Sequence, residues 1–282
     1  MLSNKITVVL PTKDEESRID LAIRNYIGLF PIVASDNYST DKTVDILKQY
    51  GIKVHLYDGP RHECREMQEH IYEIIDTPYI ILGLAGEFIP LPLLKKFAEI
   101  AETNSYDIVL NTRRNITHGV SYYGWWREIS STLRFYKRGS LDLDKVCMHQ
   151  LFKPVVPDDR ILRMGTESEL CIYQFRDYDT VRTIQVNLDY GIREADQRFK
   201  DGTSYSAWEL TKRIGIHCLY FMIRGGWRRG RLGFREFCSG MVLLIIIYWR
   251  GSDLRYHMTR EDCAKINRKC RLDMLLKFNG LS

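Results

Sequence analysis

Acidic, hydroxyl and basic side chains follow the ends of short apolar runs near the start of this chain. Ile6–Leu10 leads into Pro11-Thr-Lys-Asp-Glu-Glu16, and a second run, 31–34, leads into Ser35-Asp-Asn-Tyr-Ser-Thr-Asp-Lys-Thr43. Carboxylates and hydroxyls exchange hydrogen bonds with polar ligands, and arginines in later loops attract anions. The chemistry that these residue types indicate is the binding of a polar, charged ligand by loops.

The elements that must position these loops alternate between strand and helix. Short apolar runs predict buried strands, and apolar residues at helical spacing predict the helices between them. Such alternation implies an α/β fold with a mostly parallel sheet and helices on both faces, whose ligands bind at the carboxyl ends of the strands. The predicted strands are 6–10, 31–34, 53–57, 79–82 and one beginning at 107–110; the loops to inspect are 11–16, 35–41, 58–63 and 83–90.

Three known nucleotide-binding sequence patterns are compatible with such an α/β arrangement and can be compared with this chain. A dinucleotide or methyl-donor site requires a glycine-rich turn after the first strand, and residues 11–16 contain no glycine; a P-loop is also absent. The segments 6–16 and 35–43 instead resemble the opening and the acidic "D-x-x-S-T-D-x-T" loop of family-2 glycosyltransferases. This resemblance implies the GT-A fold, which is Rossmann-like. Ordinary turn and helix-cap residues are the alternative interpretation.

The resemblance implies a nucleotide-sugar donor bound at the first two loops. In that family's pattern Pro11 and Thr12 lie along the nucleoside, Glu15 or Glu16 lines the same cleft, and Asp36 recognises the base or ribose. A carboxylate suits recognition because it accepts hydrogen bonds strongly from an imide N–H or from hydroxyls.

Three further residues have two interpretations each. Asp41 is either a ligand contact or the N-cap of the next helix. Arg61 and Arg65 follow the third strand, where they either neutralise the donor phosphates or begin a solvated helix. The sequence leaves these alternatives open.

The chain departs from the family at the acidic loop. Where the family has D-x-D, this chain has Leu84-Ala85-Gly86, and only Glu87 is kept. Mg²⁺ or Mn²⁺ needs several hard oxygen ligands. Glu87 with waters and the diphosphate is the metal-dependent alternative, and fixed cations are the metal-free one. Candidate cations beside Arg61 and Arg65 are Arg113, Arg114, Arg127 and Arg134.

The middle segment offers the proton acceptor that inverting transfer requires. Residues 133–139 and 146–149 resemble a subgroup that includes lipopolysaccharide-core sugar transferases, with Gln150 standing where that subgroup has Glu. His149 or Glu87 is the predicted base, since a carboxylate or His usually takes the hydroxyl proton. A structural histidine is the alternative. The aromatic segment 122–126 suits an acceptor sugar, a membrane surface or a packed hairpin.

The last 80 residues are basic and predict a helical membrane-associated appendage. Residues 203–282 hold 15 Lys/Arg against 6 Asp/Glu, whereas the chain as a whole carries +5. An amphipathic helix is predicted over 206–223, and the apolar run 241–249 is too short to span a bilayer. Arginine beside apolar surface favours anionic lipid over nucleic acid. The predicted membrane contacts are Arg224, Trp227, Arg228, Arg229 and Arg231.

Length and composition fit one α/β body, 1–202, followed by the basic tail, 203–282. We expect no segment to reach spanning length, no signal peptide is evident, and seven scattered cysteines favour a reducing compartment over a zinc site. The sequence thus predicts transfer of a sugar from a nucleotide donor to a lipid-linked or surface-glycan acceptor, peripherally on the inner face of the cytoplasmic membrane. A non-catalytic subunit of a membrane assembly is the alternative, and homo- or hetero-oligomerisation is left open.

Overall fold

The computed structural model of the chain describes residues 1–59, 64–117, 119–122, 130–143, 153–176 and 179–279. The chain divides into two compact units, Met1–Asp177 and Tyr178–Ser282. This packing boundary falls one helix earlier than the predicted 202/203, because the helix Thr180–Lys200 packs within the second unit.

The described part of the first unit is built on a ten-stranded sheet. Its strand order is β3-β2-β1-β4-β8-β6-β12-β5, with β7 and β11 also paired to β6. The pairs among β1 to β4 are parallel, whereas β8 runs antiparallel between β4 and β6. The strands, with the separate pair β9–β10, are β1 Ile6–Thr12, β2 Ile32–Asp36, β3 Lys53–Leu56, β4 Tyr79–Leu82, β5 Glu87–Phe88, β6 Ile108–Thr117, β7 Val120–Tyr122, β8 Ser130–Lys137, β9 Leu141–Asp142, β10 Lys153–Pro154, β11 Ile161–Arg163 and β12 Ile172–Arg176.

Helices cover both faces of this sheet. Successive strand residues point to opposite faces, so Val8 and Leu10 pack in one apolar cluster while Val9 packs in another. The helices are α1 Ile19–Tyr26, α2 Thr43–Gln49, α3 Arg65–Ile74 and α4 Leu91–Thr103. The cluster of Val8 and Leu10 contains buried side chains of α1, α2 and α4, and the cluster of Val9 contains those of α3. The predicted α/β class with helices on both faces is confirmed; the sheet is mixed, because β5, β7 and β8 pair with their neighbours antiparallel.

Parallel pairing brings the predicted loops to one edge. Thr12, the last residue of β1, is in register with Asp36, the last residue of β2, and β1 also pairs in parallel with β4. Pro11 does not end β1, as the sequence suggested; the strand continues one residue further, with Pro11 opposite Ser35. The loops after β1, β2 and β4 therefore begin beside one another.

The described part of the second unit is helical. It contains α5 Thr180–Lys200, α6 Ala207–Ile223, α7 Gly230–Arg255 and α8 Arg260–Asn279. The predicted helix 206–223 is confirmed by α6. Helix α5 lies close against α7 at Gly191, where a Cβ atom would come within 2.5 Å of the Ile246 side chain.

The apolar part of the second unit is longer than the sequence suggested. By length and composition alone, the helical stretch Gly226–Arg255 is long and apolar enough to cross a membrane. The expectation that no segment reaches that length is therefore wrong. The apolar run 241–249 is only the most apolar part of this stretch, and the more polar turns on either side extend the helix to spanning length.

Candidate functional site

The loops after β1 and β2 are joined by hydrogen bonds between their side chains and backbones. The Asp14 carboxylate accepts from the Thr40 amide (2.7 Å), and the Glu16 carboxylate accepts from the Lys42 amide (3.0 Å). In the other direction, the Glu15 amide donates to the Thr43 hydroxyl (2.7 Å). The hydrogen bond from Thr40 lowers the pKa of Asp14 below its usual value. Residues 14–16 thus hold residues 40–43 in place, and these two loops together form one surface, called the platform below.

Asp36 lies at the base of this platform with no exposed surface. Its carboxylate accepts hydrogen bonds from the Thr12 hydroxyl (2.8 Å), the Ser39 amide (2.8 Å) and the Ser39 hydroxyl (2.6 Å). These bonds compensate for burying the charge. Thr12 and Asp36, predicted separately as nucleoside contacts, are therefore brought together, and contact with a nucleotide remains a prediction.

Asp41 supports the start of α2. Its carboxylate accepts hydrogen bonds from the Glu16 amide (3.0 Å), the Thr43 amide (2.9 Å) and the Thr43 hydroxyl. Burial raises the pKa of Asp41, but these hydrogen bonds outweigh it and hold the pKa below its usual value. These bonds stabilise the turn that leads into α2, but the N-cap of that helix is Lys42, one residue later than the sequence suggested.

Glu87, at the start of β5, is held by Arg134 of β8. The Arg134 Nε donates to Glu87 Oε2 (2.7 Å) and its Nη2 to Oε1 (3.1 Å). Glu87 is 4% exposed and Arg134 3%. Arg113 of β6 adds a second cation, with its Nη1 4.0 Å from Glu87 Oε1. Glu87 and Arg134, predicted as a base and a phosphate-neutralising group, are thus engaged with each other in this structure.

Tyr26 of α1 also belongs to this buried polar region. Burial, and the nearby Glu87 charge, raise the pKa of its hydroxyl above the usual range. Among the residues that the structure describes, buried amide atoms of Asn111 and Asn115 in β6 and of Gln174 in β12 have no hydrogen-bond partner. An unpartnered buried polar atom costs about 1–3 kcal/mol, so these atoms call for an explanation such as a bound ligand or water.

Arg18 is a site residue that sequence reasoning missed. It precedes α1 and donates from Nε and Nη2 to the two carboxylate oxygens of Glu15 (Nη2–Oε1 3.0 Å). Its guanidinium lies against Gly86, in the loop between β4 and β5. The Glu15–Arg18 spacing of three residues was the available signal, but it does not reveal the contact with a loop nearly seventy residues away.

Two more of the predicted residues are described by the structure and lie outside the Glu87–Arg134 cluster. Pro11 is half-buried within β1, and Arg65 lies in the first turn of α3, where its Nε donates to Glu69 (2.7 Å). Arg61 and His149, together with Arg127 and most of the aromatic segment 122–126, lie outside the described residues.

A divalent ion does not fit the side chains described at this edge. No three His, Cys, Asp or Glu among the described residues are grouped as metal ligands. Residues 84–86 supply no carboxylate, and both oxygens of Glu87 are bound by Arg134. Mg²⁺ and Mn²⁺ prefer oxygen ligands, so the donor set of this region is unsuitable for either ion.

The predicted membrane residues lie in the second unit around the short turn between α6 and α7. Arg224, Trp227, Arg228 and Arg231 are exposed, and Arg229 is half-buried. The Arg228 guanidinium stands over the Trp227 ring at 5.1 Å, and Arg224 stands over Tyr220 at 5.8 Å. Cations paired with exposed aromatic rings suit the boundary between water and lipid headgroups.

No family model matches the chain, and no curated protein sequence matches it. Solved structures do: the chain is similar to S. aureus TarS 1–349 at 13% identity and a TM-score of 0.43, covering 89% of this chain and 91% of that one. It is also similar to glucosyl-3-phosphoglycerate synthase from Mycobacterium tuberculosis in complex with Mn²⁺ and UDP-glucose, at 16% identity and a TM-score of 0.41, covering 68% and 79%.

A longer TarS crystal structure matches at 15% identity and a TM-score of 0.41, over 67% of this chain and 39% of that one. The chain therefore spans well under half of that protein. Likenesses this distant transfer no residue roles to the present chain.

Proposed function

We propose that this protein is a glycosyltransferase, moving a sugar from a nucleotide-sugar donor to a lipid-linked or surface-glycan acceptor of the lipopolysaccharide type. The observation that carries the proposal is the platform made by the loops after β1 and β2, with buried Asp36 at its base. It stands at the carboxyl edge of a parallel sheet, where α/β proteins bind ligands, and has the residue pattern that resembles family-2 glycosyltransferases.

The donor would lie across this edge. Its nucleoside would lie along Pro11 and Thr12, with Glu15 nearby and buried Asp36 holding the Thr12 hydroxyl from beneath, and its diphosphate would extend toward the loop between β4 and β5. By resemblance, the acceptor hydroxyl displaces the nucleoside diphosphate directly, with inversion at the anomeric carbon. The hydroxyl proton must go to a base, for which His149 is the proposed group, since Glu87 is held by Arg134.

The second unit supports a membrane location for the reaction. Its exposed arginines and aromatic side chains suit the anionic inner face of the cytoplasmic membrane, where lipid-linked acceptors are found. Peripheral attachment through the α6–α7 turn is the proposed arrangement.

A non-catalytic glycosyltransferase-like subunit is the second candidate. The occupation of Glu87 by Arg134 favours it, because the only acid kept from the family's acidic loop is then unavailable to a metal or a proton. Such a subunit would bind a nucleotide or glycan without turning it over.

The test is a thermal-shift panel of UDP, GDP, CMP and dTDP sugars, followed by release of nucleoside phosphate from whichever donor binds. A ligand that binds the folded state raises the melting temperature. We expect one donor class to raise it and Asp36→Ala to abolish the shift. Binding without turnover, when lipid-linked acceptors are supplied, would favour the subunit. No shift with any donor would contradict the glycosyltransferase proposal and leave a glycan-binding subunit as the remaining candidate.

A further inference from the structure

Contacts within the second unit show that α5 and α7 run in the same direction. The Asn187 side chain of α5 donates to the Ser239 carbonyl of α7 (3.0 Å). Two turns further along both helices, the Arg250 Nε of α7 donates to the Asp196 carboxylate of α5 (2.7 Å). The first turns of α5 therefore lie beside the first turns of α7.

Helix α6 runs in the opposite direction. Near its end, the Phe221 ring lies 4.7 Å from the ring of Phe237, which belongs to an early turn of α7. Nearer its start, Ile214 packs against the buried cluster that contains Leu244 and Ile247, which come later in α7. The start of α5, the end of α6 and the start of α7 therefore meet at one end of the unit, called the turn end below.

The first half of α5 exposes an apolar stripe at the turn end. Val181, Ile184 and Leu188 are 62%, 51% and 45% exposed, and their spacing of three and four residues places them on one side of the helix. The side that contacts α7 carries Asn187 and Gly191 instead. A helix side that faces water is normally polar, so this stripe has no role in packing the unit.

The two other helices also expose apolar side chains at the turn end. In the last turns of α6, Leu219, Met222 and Ile223 are exposed. Trp227, in the turn itself, and Phe234, in the second turn of α7, are exposed as well. Apolar surface from three helices is thus presented at the same end.

The charge of the turn end favours lipid over a second copy of the chain. Residues 179–189 and 216–236 together contain six arginines against three Asp or Glu. A contact between two copies through this end would bring like charges together, whereas anionic lipid headgroups attract them. Trp227, which carries the Arg228 guanidinium over its ring, suits the headgroup level of a bilayer.

We propose that the turn end inserts into the interfacial layer of a membrane containing anionic lipid, and that the first half of α5 is one of its inserting elements. This inference rests on the proposed membrane location. The stripe of Val181, Ile184 and Leu188 enters the boundary of the acyl chains beside Ile223, while the arginines remain among the lipid phosphates. Helix α5, which the sequence placed in the α/β body, then belongs to the membrane-binding part of the protein.

The experiment is co-sedimentation of the full chain with vesicles of mixed anionic and zwitterionic lipid. Val181→Gln/Ile184→Gln/Leu188→Gln removes apolar surface and no charge, and we expect it to partition on the order of a hundredfold less. The matched control is Phe199→Gln/Tyr256→Gln/Met258→Gln. These three side chains are also apolar and exposed, but they follow the last turns of α5 and α7, at the opposite end. We expect the control to bind as the unaltered protein does.

Hydrogen exchange of the unaltered protein with and without vesicles tests the same inference if the triple variant fails to fold. We expect vesicles to slow exchange in residues 180–189 and 216–231 and to leave residues 193–200 unchanged. Slowing in 216–231 alone would overturn the role of α5. Equal loss of binding in the triple variant and its control would also overturn it, and so would equal retention in both.

Two further readouts separate this inference from its neighbours. Light scattering that shows a dimer of the unaltered protein and a monomer of the triple variant would assign the stripe to contact between copies and overturn the inference. The donor panel is independent of vesicles: a donor shift with no vesicle binding contradicts the membrane location and this inference, and leaves sugar transfer standing. Vesicle binding that depends on the stripe, with no donor shift, supports this inference and contradicts the proposed transfer.

Discussion

Arg134 reaches Glu87 because β8 carries one residue more than its neighbour at this point. The register passes from Val109 opposite Phe135 to Leu110 opposite Leu133, which leaves Arg134 as the additional residue. Such a bulge redirects a side chain without breaking the rest of the ladder. It delivers a guanidinium to a carboxylate 47 positions away in sequence, at the carboxyl end of β4.

Arg134→Met should destabilise the first unit strongly. Removing one partner of a buried ion pair costs about 3–5 kcal/mol, because the other charge stays buried without compensation. Urea unfolding measures this loss, and Arg24→Met is the exposed control, expected to change stability by roughly 0.5 kcal/mol or less. The double variant Glu87→Met/Arg134→Met should regain much of the loss, since both charges of the pair are then removed and the Arg113 charge that stays is partly exposed. Additive losses would contradict the pairing.

At the scale of elements, hydrophobic periodicity predicts the positions of the first four strands well. The runs 6–10, 31–34, 53–57 and 79–82 became β1 to β4 with boundaries shifted by one or two residues. Buried parallel strands are apolar on both faces, and the helices between them bury one stripe, so both patterns are present locally in the sequence. Parallel pairing then places the loops at one edge of the sheet, whereas their order along it, β3-β2-β1-β4, is not present in the local pattern.

The charge pairs within the site could not be predicted in the same way. The contact of Arg18 with Gly86 depends on how two loops pack, and the Glu87–Arg134 pair depends on a bulge. In the sequence, Gly86 is only a missing acid and Glu87 a surviving one. In the folded chain, Gly86 leaves room for the Arg18 guanidinium, and Glu87 neutralises Arg134.

Two histidines, His55 of β3 and His70 of α3, make the stability of the first unit depend on pH. Burial lowers the pKa of His55, with help from the Lys53 charge, and burial lowers that of His70 against the opposing effect of Glu73. The Nε2 atoms of both are buried with no hydrogen-bond partner in the described part of the chain, and His70 stacks on Tyr57. The unfolded chain therefore takes up protons at a higher pH than the folded chain does.

Stability of the first unit should accordingly fall as pH drops below the unfolded histidine pKa of about 6.5. The loss continues until the lowered folded-state pKa values are passed. Urea midpoints at pH 7.5 and 5.5 measure it, and His55→Gln/His70→Gln should reduce the difference between them. His257→Asn, at an exposed position in the second unit, is the control. A slope unaffected by the double variant would assign the pH dependence to other groups.

At the scale of the whole chain, charge and exposed apolar surface are concentrated in the second unit. Its residues from 203 onward carry 15 Lys/Arg against 6 Asp/Glu. The same unit exposes large apolar side chains that a water-soluble helical unit would cover. They include Trp208, Leu219, Ile223, Trp227 and Trp249. Positive charge beside exposed apolar surface is the combination that anionic membranes bind, through Coulomb attraction and burial together.

Replacing Arg228, Arg229 and Arg231 with Gln should release the protein from vesicles that contain anionic lipid. Each basic residue near such a surface contributes about 1 kcal/mol, so the triple variant should partition on the order of a hundredfold less. Co-sedimentation with vesicles of mixed anionic and zwitterionic lipid measures the change. The matched control replaces the exposed residues Lys265, Arg268 and Lys269 of α8 with Gln, which removes the same amount of charge. Equal loss in both variants would mean that net charge, not the α6–α7 turn, determines binding.

Because α7 is long, peripheral attachment has to be distinguished from a helix that crosses the bilayer, and extraction from membranes distinguishes the two. A peripheral protein leaves the membrane in high salt or alkaline carbonate, because its binding is electrostatic and interfacial. A protein whose stretch Gly226–Arg255 crosses the bilayer stays in the pellet under both treatments. We expect release, since the arginines at 228, 229 and 231 lie within the first turns of that stretch and are costly to bury in hydrocarbon. Retention of the unaltered chain after carbonate would assign α7 to the membrane interior and contradict peripheral attachment.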